Sequence, residues 1–184
     1  VSVCDASAFP RLTLKGAQAE TFLRDSGVDV PARLFEVRAL TGGGIVARTG
    51  TAEFFCEDGV ADRTVARLES TLLAAPAKVY RAVRQDASFL LGGSAVNQLL
   101  LQTCGVDFPS LGPDLVFSRV AGVSCAILKR TLNQKPVYQL WLDHSYGSYL
   151  WENLIEIASD LGGGPVGLGG FFPQLTPRPL TTTP

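Results

Sequence analysis

The chain has 184 residues, 46% of them hydrophobic, and 16 basic against 17 acidic residues leave a net charge of −1. That balance, with no polybasic run, argues against nucleic acid or an anionic membrane surface as partner. The longest apolar runs are strand-length, short of the roughly 18–20 residues of a membrane-spanning helix. No basic-plus-apolar leader opens the given sequence, so the expected location is cytoplasmic. The absence of Met suggests an initiator that was removed or lies outside the sequence given. Cys4, Cys56, Cys104 and Cys125 are far apart and lack CxxC spacing or histidine companions. They read as buried reduced thiols rather than as a zinc site.

In chain order, Arg11-Leu-Thr-Leu-Lys15 alternates as a half-buried strand does, and Gly16 allows a sharp turn into a helix. On that helix Ala19, Phe22, Leu23 and Ser26 share one face, and Gly27 is a natural stop. Gly42-Gly-Gly44 leads into a second strand at Ile45-Val-Ala47, and Glu53-Phe-Phe-Cys-Glu57 is the third. Asp62 to Leu73 carries Val65, Leu68 and Leu72 at helical spacing, and Lys78 to Val83 alternates again. The first half therefore reads β-α-β-β-α-β, the ferredoxin-like order. The second half gives strands near Ser88–Leu91, Leu115–Arg119, Cys125–Lys129 and Val137–Leu142, with helices near Ser94–Cys104 and Ser145–Leu161. Gly162-Gly-Gly164-Pro165 ends the last helix. The expectation is an α+β fold of two ferredoxin-like β-α-β-β-α-β halves, about 1–85 and 86–172, forming one duplicated unit over 1–172. Pro173, Pro177, Pro179 and Pro184 punctuate a Pro/Thr-rich tail, 173–184, which is expected to be an extended arm.

The duplication is legible in the motifs. Leu12-Thr-Leu-Lys-Gly16 with its helix closes on Gly27-Val-Asp-Val-Pro31, and Phe89-Leu-Leu-Gly-Gly93 with its helix closes on Gly105-Val-Asp-Phe-Pro109. A period this long means two similar subdomains rather than a solenoid. This order resembles the folate-binding domain of the glycine-cleavage aminomethyltransferase family. The residues that carry the likeness are Leu12–Lys15 with Gly16, Gly43-Gly-Ile-Val46, Phe89–Gly93, Arg130 after a strand, and Leu150-Trp151 with Leu154. In its length it is similar to the gamma-type subunits of heterotetrameric sarcosine oxidase and N-methylglutamate dehydrogenase.

The resemblance implies a folate site built on carboxylates, and three of its positions differ here. Where an acidic residue should follow the Gly-Gly-Ile-Val strand, this chain has Ala47-Arg48. Where a pterin-binding glutamate should follow Arg130, it has Thr131-Leu-Asn-Gln-Lys135, and a lysine offers no acceptor to the ring N–H groups. The later arginine is replaced by Gly170-Phe-Phe172. The chain is therefore expected to bind no folate and to hold no catalytic residue, cofactor or metal of its own. The resemblance places FAD, FMN, NAD, folate and zinc in partner subunits of alpha, beta and delta type.

Other motifs carry less. His144, the single histidine, lies between Asp143 and Ser145, where adjacent side chains diverge, so a turn or capping role is expected rather than a triad. Gly42-Gly-Gly44 precedes a strand and lacks a following Gly-Lys-Ser/Thr, so it reads as a flexible connection. Asp29 and Asp107 are related by the repeat and read as turn residues. The last helix is apolar nearly all round. Tyr146, Trp151 and Ile155 lie off its inward stripe, which fits either a larger core or a subunit contact. With Phe171, Phe172, Pro173, Pro177 and Pro179 they form the expected partner interface. The function expected from the resemblance is a structural subunit of a flavin-dependent N-methyl amine oxidoreductase. The alternative is a stand-alone folate-dependent one-carbon transferase or folate-binding regulator.

Overall fold

A computed structural model describes residues 1–176. Its first sheet is built from β2 (Arg11–Lys15), β3 (Val37–Ala39), β4 (Ile45–Gly50), β5 (Glu53–Glu57) and β6 (Tyr80–Ala82). They lie in the order β3-β4-β5-β2-β6. Leu12, Leu14, Val46, Phe54 and Cys56 alternate onto the face covered by α1 (Ala19–Asp25) and α2 (Thr64–Leu72). Leu23 and Ala19 of α1 and Val65 and Leu68 of α2 complete that layer.

The second sheet contains β1 (Ser2–Asp5), β7 (Asp86–Gly92), β8 (Val116–Val120), β9 (Val123–Leu132), β10 (Lys135–Asp143) and β11 (Gly164–Pro165). Their order is β11-β1-β7-β10-β9-β8. Phe89, Leu91, Ile127, Tyr138 and Leu140 pack under α3 (Val96–Thr103) and α4 (Gly147–Asp160). The opposite faces of the two sheets meet each other, where Ile45, Ala47 and Phe55 pack on Leu115, Leu128 and Trp141. The fold is thus α+β, with two sheets inside and two helices behind each.

Two departures from the sequence expectation concern strands. Between its helices each half makes three strands; β8 is the one expected near Leu115–Arg119, whereas β3 adds an edge in the first half that was not expected. β3 is only three residues long with no buried residue, too short to show alternation. The N-terminal strand β1 also leaves the first half and pairs antiparallel with β7. It takes the place beside β7 that β6 takes beside β2. The two repeat glycines record this exchange. Gly16 (φ 128°) and Gly93 (φ 102°) both turn a strand into a helix with left-handed backbone. A Cβ on Gly16 would strike the Lys78 carbonyl just before β6, whereas at Gly93 it would meet Val1 just before β1.

The Gly162–Gly164 run does more than stop α4. Gly162 (φ 72°) ends the helix, and Gly163 approaches Val1 so closely that a Cβ there would collide with the Val1 carbonyl. Gly164 and Val166 then donate to the Val1 and Val3 carbonyls and form the parallel strand β11.

All four cysteines are free and buried. Burial pushes the Cys4 thiol up to about 11 and those of Cys56 and Cys125 up to about 12, from an ordinary 9.0. A thiol whose pKa is raised by folding stabilises the native state below its unfolded value and loses that contribution as pH rises through the folded one. We therefore expect the urea midpoint to fall as pH rises from 9 towards 12, with a shallower fall in a Cys56→Ala, Cys125→Ala variant. Below pH 9 the native thiols should resist a mild thiol reagent that labels them after denaturation.

Candidate functional site

The first-sheet strand β5 ends in Glu57, which alternation places on the same face as Phe55, towards the second sheet. It is 1% exposed. Its Oε2 accepts hydrogen bonds from Arg11 Nε at 2.6 Å and Trp141 Nε1 at 2.7 Å, and its Oε1 accepts one from Gln139 Nε2 at 2.7 Å. Arg11 is its register partner on β2, whereas Gln139 and Trp141 stand on β10 of the other sheet. Gln139 Nε2 also lies 3.0 Å from Ser88 Oγ, and its Oε1 accepts from Arg130 Nη1 at 2.6 Å. The remaining Arg11 donors reach the carbonyls of Asp86 and Ala6. A buried carboxylate with three donors, two of them from the facing sheet, fixes how the halves meet.

Arg130 extends the network to the glycine loop by donating to the Gly43 carbonyl. That loop is not a flexible connection. The buried carboxylate of Asp62 accepts from the backbone N–H groups of Gly42, Gly44 and Gly59. A Cβ at any of these three glycines would collide with backbone or with Asp62. The N–H groups form an anion nest, and the protein's own Asp62 occupies it. Nearby, Asp58 Oδ1 accepts from Val65 N at the start of α2, and burial raises the Asp58 pKa above the ordinary carboxylate value. Desolvation likewise lowers the Arg130 pKa, while Glu57 and Asp62 oppose that shift by holding its charge.

The positions that the resemblance assigns to folate are used internally. Ala47 is fully buried in the seam between the sheets and presents only a methyl group. Arg48 points to the helix side, where it donates to the Pro31, Ala32 and Thr51 carbonyls and pairs with Glu20 at 3.0 Å. Asn133 (φ 50°) and Gln134 (φ 62°) make a two-residue hairpin turn, so β9 runs directly into β10 without a pterin-sized loop. The seam around Phe55 and Trp141 leaves a void of about 10 Å³, room for no more than one water. An open cleft of about 390 Å³ lies where that hairpin meets Phe171, lined by Ser2, Leu132, Asn133, Lys135 and Val166 among others, with no carboxylate in its wall. Among the described residues no group of His, Cys, Asp and Glu is arranged to hold a metal ion, and no helix is long and apolar enough to cross a membrane.

The expected interface residues are dispersed. Tyr146 is 54% exposed, in the short turn before α4. Trp151 is half-buried and stacks on Phe89 with ring centres 5.4 Å apart, and Ile155 packs on the same core. The chain's own second core thus covers part of this flank of α4. Phe171 and Phe172 are buried in this chain's own core with Cys4, Leu90 and Val137, so their rings are not free for a partner. Pro173 to Leu175 form a 3-10 turn, which corrects the expectation of an extended arm at its root. Pro177 and Pro179 lie outside the described residues. His144 is exposed in a turn with Nδ1 3.1 Å from the Gln85 carbonyl, and Asp143 caps that turn by accepting from Ser145. Sequence reasoning missed Glu57, Gln139, Trp141 and Asp62. The signal for Glu57 and Gln139 was a charge or amide in an otherwise apolar stretch of strand, as in Phe54-Phe-Cys-Glu57 and Val137-Tyr-Gln-Leu-Trp-Leu142.

This architecture is an aminomethyltransferase-like fold, found also in a chain of heterotetrameric sarcosine oxidase. The structure matches the heterotetrameric sarcosine oxidase from Corynebacterium sp. U-96 in complex with pyrrole 2-carboxylate, with a TM-score of 0.68 and 19% identity, over 89% of this chain and 86% of that one. It matches glycine cleavage system aminomethyltransferase T from Bartonella henselae with a TM-score of 0.69 and 16% identity, over 91% of this chain. Only 48% of the aminomethyltransferase is covered, so the chain spans about half of that enzyme. No family model and no curated relative matches the sequence.

Removing the Glu57 side chain leaves Arg11 buried without its carboxylate. The Glu57→Ala variant should lose about 3–5 kcal/mol of stability. Gln139→Ala should lose less, about 1–3 kcal/mol, since it strands neutral groups as well as Arg130. Urea denaturation checks both, with the midpoint moving and the slope unchanged.

Proposed function

We propose that this chain is a non-catalytic assembly subunit of a heterotetrameric flavin-dependent N-methyl amine oxidoreductase, of the sarcosine oxidase or N-methylglutamate dehydrogenase type. The observation that carries this reading is the closure of the inter-sheet seam. Arg130 is held by the chain's own Gln139 and the Gly43 carbonyl, the glycine loop by Asp62, and Arg48 is turned away to Glu20. A folate-using protein would leave acceptors free for a ligand, whereas this seam presents an alanine methyl and an arginine turned away. The similarity to a sarcosine oxidase chain over nearly the full length of both supports the same reading.

In this proposal the partner subunits bind FAD, FMN, NAD, folate and zinc and carry out the chemistry. The N-methyl carbon loses a hydride to a flavin, and the one-carbon unit passes to folate. The present chain contributes rigid surface, in the cytoplasm, and holds the assembly together. A fold shared with an aminomethyltransferase does not bring that enzyme's activity with it.

Two measurements on the intact chain test the proposal. Calorimetric titration with tetrahydrofolate should show no saturable binding. Purification of a tagged chain from its native cells should bring down stoichiometric partner chains with flavin absorbance, identified by mass spectrometry. A low-micromolar folate site on a chain that purifies alone would instead support the folate-dependent transferase or regulator.

A further inference from the structure

The four edges of the two sheets are not alike. β3, β6 and β11 have three, three and two residues, and β11 contains a proline. β8 has five, without proline or bulge, so it is the long edge that proteins usually cover. Its register fixes which backbone groups face outward. Ala121 (φ 46°) and Gly122 (φ 82°) form a two-residue hairpin loop, so Val120 and Val123 exchange both hydrogen bonds. Alternation then turns Val116, Ser118 and Val120 inward to β9 and leaves Leu115, Phe117, Arg119 and Ala121 facing out.

The two ends of that outward row are occupied. Leu115 N donates to the Phe35 carbonyl at 2.8 Å, and Ala121 N donates to the Thr103 carbonyl at 2.8 Å. Between them, among the described residues, the backbone groups of Phe117 and Arg119 have no partner. The gap from Leu115 to Ala121 is about 20 Å at roughly 3.4 Å per residue, enough for a segment of four or five residues.

The side chains beside this gap are those of a docking surface. Phe117 is 51% exposed, and its ring lies 5.2 Å from that of Phe35, beside half-exposed Leu34. Phe35 holds a left-handed backbone (φ 66°), unfavourable for a bulky residue, and is tied there by its N–H to the Arg48 carbonyl and its own carbonyl to Leu115. Arg119 is exposed and, among the described residues, has no carboxylate within ion-pair distance. The groove behind it, about 400 Å³, is lined by Arg84, Trp141 and Asp143, whose charges are engaged by Asp86 and Ser145.

We infer that the outer edge of β8 receives an extended, acidic segment of a partner polypeptide, which adds a strand through Phe117 and Arg119. The segment offers a carboxylate to Arg119 and an apolar side chain to Phe117 and Phe35. A second copy of β8 would bring another Arg119 and no carboxylate, so the charge favours a different chain. In naming a partner chain, the inference rests on the assembly reading above.

The test needs only the full chain and a synthetic peptide of repeating Val-Thr-Glu-Thr, which presents Val and Glu in turn on one face of a strand, with a Val-Thr-Lys-Thr control. Amide hydrogen exchange should slow several-fold at Phe117 and Arg119 with the acidic peptide and remain unchanged with the basic one. Val116, Ser118 and Val120, already bonded to β9, should not change. An Arg119→Glu variant should reverse the peptide preference while keeping the same urea midpoint. No slowing at Phe117 and Arg119 with saturating acidic peptide, or equal slowing with both peptides, overturns the inference. Slowing that follows protein concentration without peptide also overturns it, by making the occupant a second copy. These outcomes do not depend on whether flavoprotein subunits co-purify, so failure here is distinct from failure of the assembly reading.

Discussion

One buried carboxylate governs how the two halves of this protein meet. Glu57 lies between the two sheets beside an apolar patch of Ile45, Ala47, Phe55, Leu115, Leu128 and Trp141, and at 1% exposure it has little access to water. Its three short hydrogen bonds, one from Arg11 beside it and two from β10 opposite, are satisfied in a single arrangement of the sheets. Apolar contacts between Phe55, Leu128 and Trp141 favour burial without choosing a register. The carboxylate chooses it, because a slip by one residue on β10 would turn Gln139 and Trp141 to the helix side and leave Glu57 uncompensated. Trp141 serves both purposes, giving its N–H to Glu57 and its ring edge to Phe55 at 5.7 Å.

The same network explains why a duplicated, glycine-rich chain looks like a ligand-binding protein in sequence and is closed in structure. A run of glycines with outward N–H groups is a good cradle for an anion. Here Asp62 supplies the anion from α2's own approach segment, which pins the loop, and the loop's Gly43 carbonyl is bound by Arg130. Arg130, one of the residues that carry the resemblance, thus becomes a link between a loop of the first half and Gln139 of the second. The polar groups of this network are thereby satisfied within the chain itself.

The duplication is also imperfect in a consequential way. In the first half the strand beside β2 comes from the same half, but in the second half the N-terminal strand β1 takes that place beside β7. This exchange ties the start of the chain to Gly163 and Gly164 after the last helix and joins the halves covalently and by hydrogen bonds. The sixth strand of the second sheet is β11, whose two residues follow α4 and pair with β1. Trp151 and Ile155 on α4 pack against the second sheet's own core.

Local patterns were legible in the sequence. Alternation marked Arg11–Lys15, Glu53–Glu57 and Val137–Leu142, helical spacing marked Val65 and Leu68, and the recurrence of glycine before each first helix marked the repeat. Those signals arise from interactions within a few residues and depend on backbone geometry alone. The resemblance also implied carboxylates that the sequence lacks at Ala47-Arg48 and Asn133-Gln-Lys135, and the lack of a functional group can be read without the fold. The crossing of β1, the Asp62 nest and the seating of Glu57 were decided only by tertiary structure. Each depends on a contact between groups separated by some 20 to 160 positions, and one-dimensional periodicity holds no information about which distant donor will face a buried acceptor.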